Sequence, residues 1–155
     1  MTFPPFVDEA RAENAGVLAY FRRRNERGLP LCALPADTPD PYLLLGSHPD
    51  VVERVWNGLG PHADWRLVVL GTPAVVDPET GAVLAVALGT SYWLRLTPID
   101  LTSALAACLT QTQRYGLSGQ DFDAAATFGP TWVHGGWDER EPGWLLAASA
   151  ADRVS

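Results

Sequence analysis

The sequence predicts one α+β domain, in which an antiparallel β-meander is packed with helices before and after it. Three observations lead to this class. The chain has 155 residues, the length of one ordinary domain. Its middle, residues 65–96, reads as short apolar runs separated by turn residues, whereas its flanks carry apolar residues at helical spacing. The turns between the runs are too short for parallel crossovers, so neighbouring strands must be antiparallel.

The first predicted element is a helix from about Asp8 to Arg27. Acidic residues at its start and arginines at its end complement the helix dipole, and Gly28 is expected to stop it. We interpret the arginine run at residues 22–24 as a solvated helix end, with a local anion site as the alternative. Helical spacing puts five residues on one face: Ala10, Asn14, Val17, Leu18 and Phe21.

The next segment has few periodic apolar residues at first. Residues 29–41 contain four prolines and predict an irregular arm, and YLLLG at residues 42–46 predicts a short buried strand. SHPD then predicts a helix start, with Ser47 as its cap and Pro49 in its first turn. Two glycines, Gly58 and Gly60, are expected to end that helix.

The central strands are predicted near residues 65–70, 73–77, 82–88 and 91–96. DPETG between the second and third strands predicts a hairpin loop in which Gly81 has a positive φ. The run AVLAVAL lacks one-sided alternation, which predicts a strand that is covered on both faces. After the fourth strand, Thr97 as cap and Pro98 in the first turn predict a second long helix that stops at Gly116. Its apolar side is formed by Leu101, Leu105, Cys108, Leu109 and Thr112.

The charge of the chain limits its partners. The net charge is −7, and all eleven basic residues are arginine. An acidic domain is repelled by phosphate backbones, so nucleic acid is an unsuitable partner and a basic protein is the complementary one. The absence of lysine beside abundant Ala, Gly and Pro is typical of a GC-rich genome, which points to a bacterial source.

The location and the cysteines are predicted from what the chain lacks. No apolar run approaches the ~18 residues of a membrane span, and the start has no signal-peptide pattern, so we expect a cytoplasmic protein without membrane contact. Cys32 and Cys108 fit no metal or redox spacing, and we expect two buried thiols.

Catalytic motifs are missing from the sequence. The first candidates for acid–base chemistry are the three histidines, His48, His62 and His134, because a histidine titrates near neutral pH. His134 is the best of them, since Trp132 and Asp138 lie near it in sequence. HExxH, CxxC, GxSxG and the glycine-rich phosphate loops are all absent. The sequence therefore predicts no catalytic residue, no metal ligand and no cofactor.

The segment FGPTWVHGGWDEREPGW, residues 128–144, concentrates tryptophans, glycines and carboxylates near the end of the chain. Its simplest interpretation is a strand and turn whose tryptophans pack on the sheet, with an acidic tip outside. Aromatic anchors flanked by acidic residues also suit a basic partner. The predicted partner-binding residues are Trp132, His134, Trp137, Asp138, Glu139 and Glu141.

Two other functions remain open at this point. A small-molecule-binding domain or small enzyme would have a pocket between sheet and helices, lined by Trp56, Trp93 and Trp132, with His48 or His134 as the polar group. A structural or assembly subunit would instead expose a large apolar surface.

Three stretches of the chain resemble the SMI1/KNR4 (SUKH) superfamily of bacterial immunity proteins. They are ERGLP at Glu26–Pro30, VDPETGAVLAV at Val76–Val86 and LTPIDLTSALAACL at Leu96–Leu109. The resemblance covers about residues 15–115. It implies a non-catalytic α+β domain that binds and neutralises a toxin made by the same or a neighbouring cell.

Overall fold

The computed structural model describes residues 6–25, 28–35, 49–56, 66–77, 80–89, 91–106, 111–113 and 122–136. The strands in these ranges are β1 (Arg66–Val69), β2 (Thr72–Val76), β3 (Val83–Leu88), β4 (Ser91–Arg95), β5 (Thr112–Gln113), β6 (Phe122–Asp123) and β7 (Trp132–Gly136). Five of them form an antiparallel sheet in the order β1-β2-β3-β4-β7, and β5 pairs with β6.

Tight turns produce the meander from β1 to β4. Leu70 and Gly71 connect β1 to β2 with φ values of 48° and 85°. This is the pair of positive φ angles that a two-residue type I′ hairpin requires. Gly81 has a φ of 72° in the loop between β2 and β3, as the DPETG pattern predicts. All four predicted strands are present, and their bounds agree with the prediction to within one residue.

Four helices lie in the same ranges: α1 (Ala15–Arg24), α2 (Pro49–Arg54), α3 (Pro98–Ala106) and α4 (Ala124–Thr127). Apolar residues of α1 and α4 share one buried cluster with one face of the sheet, whereas those of α2 and α3 share another cluster with the opposite face. Every residue of β3 is consequently buried. The predicted α+β class and the double-sided cover of this strand are confirmed. No helix in the described ranges has the length and apolarity needed to cross a membrane.

The first helix is shorter than the sequence predicts. Asp8 forms a turn, because its carboxylate accepts a hydrogen bond from the amide of Ala10 at 2.9 Å and its own amide donates to Gly81 O at 3.0 Å. These bonds compete with helix formation. Only a 3-10 turn at Ala12–Asn14 precedes α1, and Ala10 is exposed.

The other end of α1 is set by an asparagine. The Asn25 backbone leaves the helical region, and its side chain bonds both the carbonyl and the amide of Leu29, at 2.8 and 2.9 Å. The predicted helix from Asp8 to Arg27 is therefore wrong at both ends, since α1 begins at Ala15 and ends at Arg24.

Helix α3 begins as predicted but turns a different face inward. Thr97 Oγ1 accepts a hydrogen bond from the amide of Asp100 at 3.2 Å, which confirms its role as the cap. Asp100 and Ala104 are the buried residues of the helix, whereas Leu105 is 44% exposed. The predicted inward position of Leu105 is wrong. The helix starts at the cap of Thr97 and turns Asp100 and Ala104 toward the sheet. The predicted continuation of this helix to Gly116 is wrong, because Thr112 and Gln113 form strand β5 and pair with β6. The predicted strand at 42–46, the helix start at Ser47, the stops at Gly58 and Gly60, and Cys108, Leu109 and Gly116 lie outside the described residues.

Asn14 connects the amino-terminal segment to the sheet. This side chain is buried, and its Nδ2 donates to Asp8 O and Gly81 O, both at 2.9 Å. Its Oδ1 accepts from the amide of Val83 at 2.9 Å. A β-bulge or irregularity between Val75 and Val76 lies beside this point in the β2–β3 register. One amide side chain thus satisfies three backbone groups of two separate segments.

Replacing Asn14 by alanine should lower the free energy of unfolding by about 3 kcal/mol, because buried backbone groups lose their partners. Urea unfolding followed by tryptophan fluorescence measures this change. Asn25→Ala is the matched control, since its two bonds to Leu29 are only partly buried and should be worth about 1 kcal/mol. Equal losses in the two variants would contradict the proposed role of Asn14.

Gly16 is required by the contact between α1 and α4. A Cβ at this position would overlap Thr127 O and would lie 2.8 Å from Phe128 O, both of them backbone atoms. Gly16→Ala should therefore destabilise the protein by about 3 kcal/mol. Gly28→Ala is the control: its Cβ would meet nothing within 4 Å, and only its φ of 67° is unfavourable, at about 1 kcal/mol. Urea unfolding of both variants tests the difference, and a Gly16→Ala protein as stable as the wild type would refute the close approach.

Candidate functional site

Strand β7 brings two of the predicted site residues to the edge of the sheet. Trp93 pairs with His134 and Arg95 pairs with Trp132, so these four side chains share the face that α1 and α4 cover. The strand is held from its outer side as well. Gln111 Nε2 donates to Pro130 O at 2.7 Å and to Trp132 O at 3.1 Å.

Trp132 lies in the core beneath this edge. It is 1% exposed, and its ring centroid is 5.2 Å from that of Phe128 in an edge-on arrangement. Phe128 makes three further ring contacts of this kind, at 5.5 to 6.2 Å. We call these five rings the aromatic cluster: Tyr20, Phe21, Trp93, Phe128 and Trp132. Any contribution of Trp132 to a partner surface is therefore indirect, through the position of β7.

His134 stacks on the aromatic cluster at the edge of the sheet. Its ring centroid is 4.6 Å from that of Trp93, and its Nε2 lies 3.0 Å from Ser91 Oγ. Its Nδ1 is buried and has no hydrogen-bond partner in the described part of the chain. Burial lowers the pKa of His134 from 6.5 to about 4. The imidazole is thus neutral near pH 7, and a base this weak removes protons poorly.

Arg95 is the charged neighbour of the site. Burial lowers the pKa of its guanidinium, while the charge of Glu13 acts in the opposite direction. The pKa of Glu13 is lowered, mainly by a backbone hydrogen bond and by its hydrogen bond from Arg11. In the described ranges, no three His, Cys, Asp or Glu side chains come together as a metal site would require.

The sheet separates the tryptophans that the sequence assigned to one pocket. Trp56 packs in the cluster beneath α2 and α3, where its Nε1 donates to Ala74 O at 3.0 Å. Trp93 and Trp132 lie on the opposite face. The predicted lining of a single pocket by these three rings is therefore wrong, since Trp56 follows α2, which covers the face of the sheet opposite to Trp93 and Trp132. His48 and His62 lie outside the described residues.

The acidic part of the predicted site follows β7 directly in the chain. Gly136, the last residue of β7, pairs with Ser91, the first residue of β4. Only glycine fits at position 135, because a Cβ there would overlap the ring of Tyr92. Trp137, Asp138, Glu139 and Glu141 come next in sequence and lie outside the described residues, so their part in binding stays a prediction.

The outward surface of α3 is a feature that the sequence reasoning missed. Ile99 is 81% exposed, whereas Asp100, the one charged residue of this helix, is 6% exposed. The run TPIDLTSALA, with its single charge, is the available signal, but helical spacing predicts Leu105 on the inward side. The exposed residues of α3 carry no charge: Pro98, Ile99, Thr102, Ser103, Leu105 and Ala106.

Cys32 lies half-buried beside the bridge between Ala33 and Val68, instead of fully buried as predicted. Burial raises the pKa of its thiol. The thiol form therefore dominates near pH 7, and this form is the less reactive one.

Comparison of the chain with protein-family models, with curated proteins and with solved structures gives no match in any of the three.

The low pKa of His134 has a consequence for stability. The folded pKa of about 4 is below the unfolded value of 6.5, so the unfolded chain binds the proton more readily. This contribution to stability is complete above about pH 6.5 and is lost as the pH falls towards 4. Between about pH 7 and pH 4 the wild type should lose about 2 kcal/mol more than His134→Gln, allowing for solvent screening.

Urea unfolding of both proteins at several pH values measures this difference. Carboxylates and the other histidines titrate in both proteins, so only His134 separates the two curves. An NMR titration that gives His134 a pKa near 6.5 in the folded protein would contradict its burial against Trp93.

Proposed function

We propose that the chain is a non-enzymatic acidic module that binds a basic protein partner, and that it acts as an immunity protein by neutralising a toxin. The charge of −7 supports a basic partner, since opposite fields accelerate encounter. The SUKH-like stretches around the hairpin at residue 81 and the helix after Thr97 support the immunity role by resemblance.

The observation that carries the proposal is the environment of His134. A catalytic histidine needs a pKa near the working pH and an orienting group on its second nitrogen. His134 has a pKa of about 4, and its Nδ1 meets no acceptor or donor in the described part. Its contacts with Trp93 and Ser91 hold β7 against β4. The best candidate for chemistry thus serves packing.

The surface of α3 supports binding to a protein. Helix α3 lies against β7, and the acidic segment follows Gly136, the last residue of that strand, in the sequence. An exposed isoleucine surrounded by small uncharged residues suits the desolvated centre of an interface, and carboxylates suit its rim. We therefore propose Ile99 as a contact beside the predicted acidic residues.

The test begins with affinity capture of the partner from the native host. Expression of the captured protein alone should arrest growth, and co-expression of this chain should restore it. The double variant Asp138→Asn/Glu139→Gln should then slow association with the partner about tenfold at low salt, because rim charges act mainly on the on-rate. Stopped-flow or surface plasmon resonance measurements give this rate.

The matched control is Asp50→Asn/Glu53→Gln, which neutralises one Asp and one Glu on the exposed side of α2. Both double variants have a net charge of −5 in place of −7. Equal slowing would show that the overall field acts without a local site. Failure to recover any protein partner, or a partner whose expression is harmless, would count against the immunity role.

A further inference from the structure

The last turn of α1 carries three consecutive arginines with different surroundings. Arg22 is exposed and forms an ion pair with Glu9. Arg23 and Arg24 instead both lie over Tyr20, with their Cζ atoms 5.7 and 5.8 Å from the ring centroid. Two guanidinium groups are thus gathered at one aromatic ring by cation–π contacts.

The ring that gathers them is held in place by the core. Tyr20 packs edge-on against Phe128, with centroids 5.5 Å apart and planes at 81°. Phe128 in turn packs against Trp93 and Trp132. Tyr20 is therefore a fixed platform at the rim of the aromatic cluster, and the two guanidinium groups lose less freedom on binding than arginines on a mobile loop.

The positive charge at this platform is not balanced in the described part of the chain. The ion pairs there join Arg11 to Glu13 and Arg22 to Glu9, and none involves Arg23 or Arg24. Two guanidinium groups at one ring repel each other unless an anion lies between them.

One nitrogen of this pair also lacks an acceptor. Arg24 Nη1 is buried and has no hydrogen-bond partner among the described residues. Because buried donors in folded proteins are almost always hydrogen-bonded, an acceptor is expected at this nitrogen. An arginine that only caps the helix end would donate to the carbonyls of the last turn, and Arg24 Nη1 does not.

We propose that Tyr20, Arg23 and Arg24 form a binding site for a phosphate group, free or carried by a small organic molecule. The two guanidinium groups match the double negative charge and the several acceptor oxygens of phosphate. The site lies on α1 and does not rest on the proposed binding of a protein at β7 and α3. Because the protein is acidic overall, a small compact anion suits the site better than a nucleic acid.

The experiment is a titration of the ¹⁵N-labelled protein with inorganic phosphate at constant low ionic strength, followed by ¹H–¹⁵N NMR. Saturable shifts are expected at residues 20–25. Arg23→Gln and Arg24→Gln should each weaken the binding about tenfold. Arg22→Gln is the matched control, because it removes the same charge one residue away and leaves the pair at Tyr20 intact. O-phosphoserine and acetate separate an organic phosphate and a carboxylate from free phosphate.

The outcomes decide the proposal. Absence of saturable shifts with both phosphate ligands, or equal weakening by Arg22→Gln, overturns it, as does tighter binding of acetate than of phosphate. Glu26 is close in sequence and lies outside the described residues. If Glu26→Gln binds phosphate and the wild type does not, Glu26 is the partner of the arginines and the site is not free. Should Arg24→Gln fail to fold, Arg24→Lys keeps the charge, removes the planar fork and should still weaken binding.

Discussion

All side chains of β3 are buried, and this burial on both faces is the constraint on which the other elements depend. A sheet whose central strand has no polar face needs a helical cover on each side. Helices α1 and α4 supply one cover and α2 and α3 supply the other. The two helical covers then keep the large rings in separate layers: Trp56 follows α2 on one side of the sheet, and Trp93 faces α1 and α4 on the other. A pocket through the sheet would interrupt the strand that organises both cores.

Close backbone approaches and one polar side chain fix the layer that contains the candidate site. Gly16 lets α1 touch the backbone at Thr127, and Gly135 leaves room for the ring of Tyr92. Asn14 then joins the start of this layer to the β2–β3 hairpin. With these positions fixed, the aromatic cluster has little room to adjust, and His134 is confined between Trp93 and Ser91. The position of β7 at the edge of the sheet is thus fixed by side-chain packing, and His134 is one of the packed side chains.

The sequence predicts the features that local chemistry determines. Turn glycines, the cap at Thr97 and the uniform apolarity of β3 each act within a few residues, and the meander follows from them. The end of α1 and the exposure of Leu105 depend on contacts between distant segments, which no local pattern contains. The candidate site divides in the same way. Of its aromatic residues, Trp132 packs on the sheet as the sequence predicts, whereas the uncharged surface of α3 depends on the orientation of that helix, which the sequence does not contain.

Charge and contact act at different stages in a protein of this kind. The net charge of −7 extends its influence over about 8 to 10 Å at physiological salt, and in the proposed function it guides a basic partner before contact. The lifetime of a complex depends instead on desolvated apolar contacts, which the exposed side of α3 can offer through Ile99. Because burying a charged group is unfavourable without a paired ion, a helix surface free of charge costs less to desolvate than a charged one. The one charge of α3 lies inward at Asp100, so the helix combines a stabilised first turn with an outer face suited to contact.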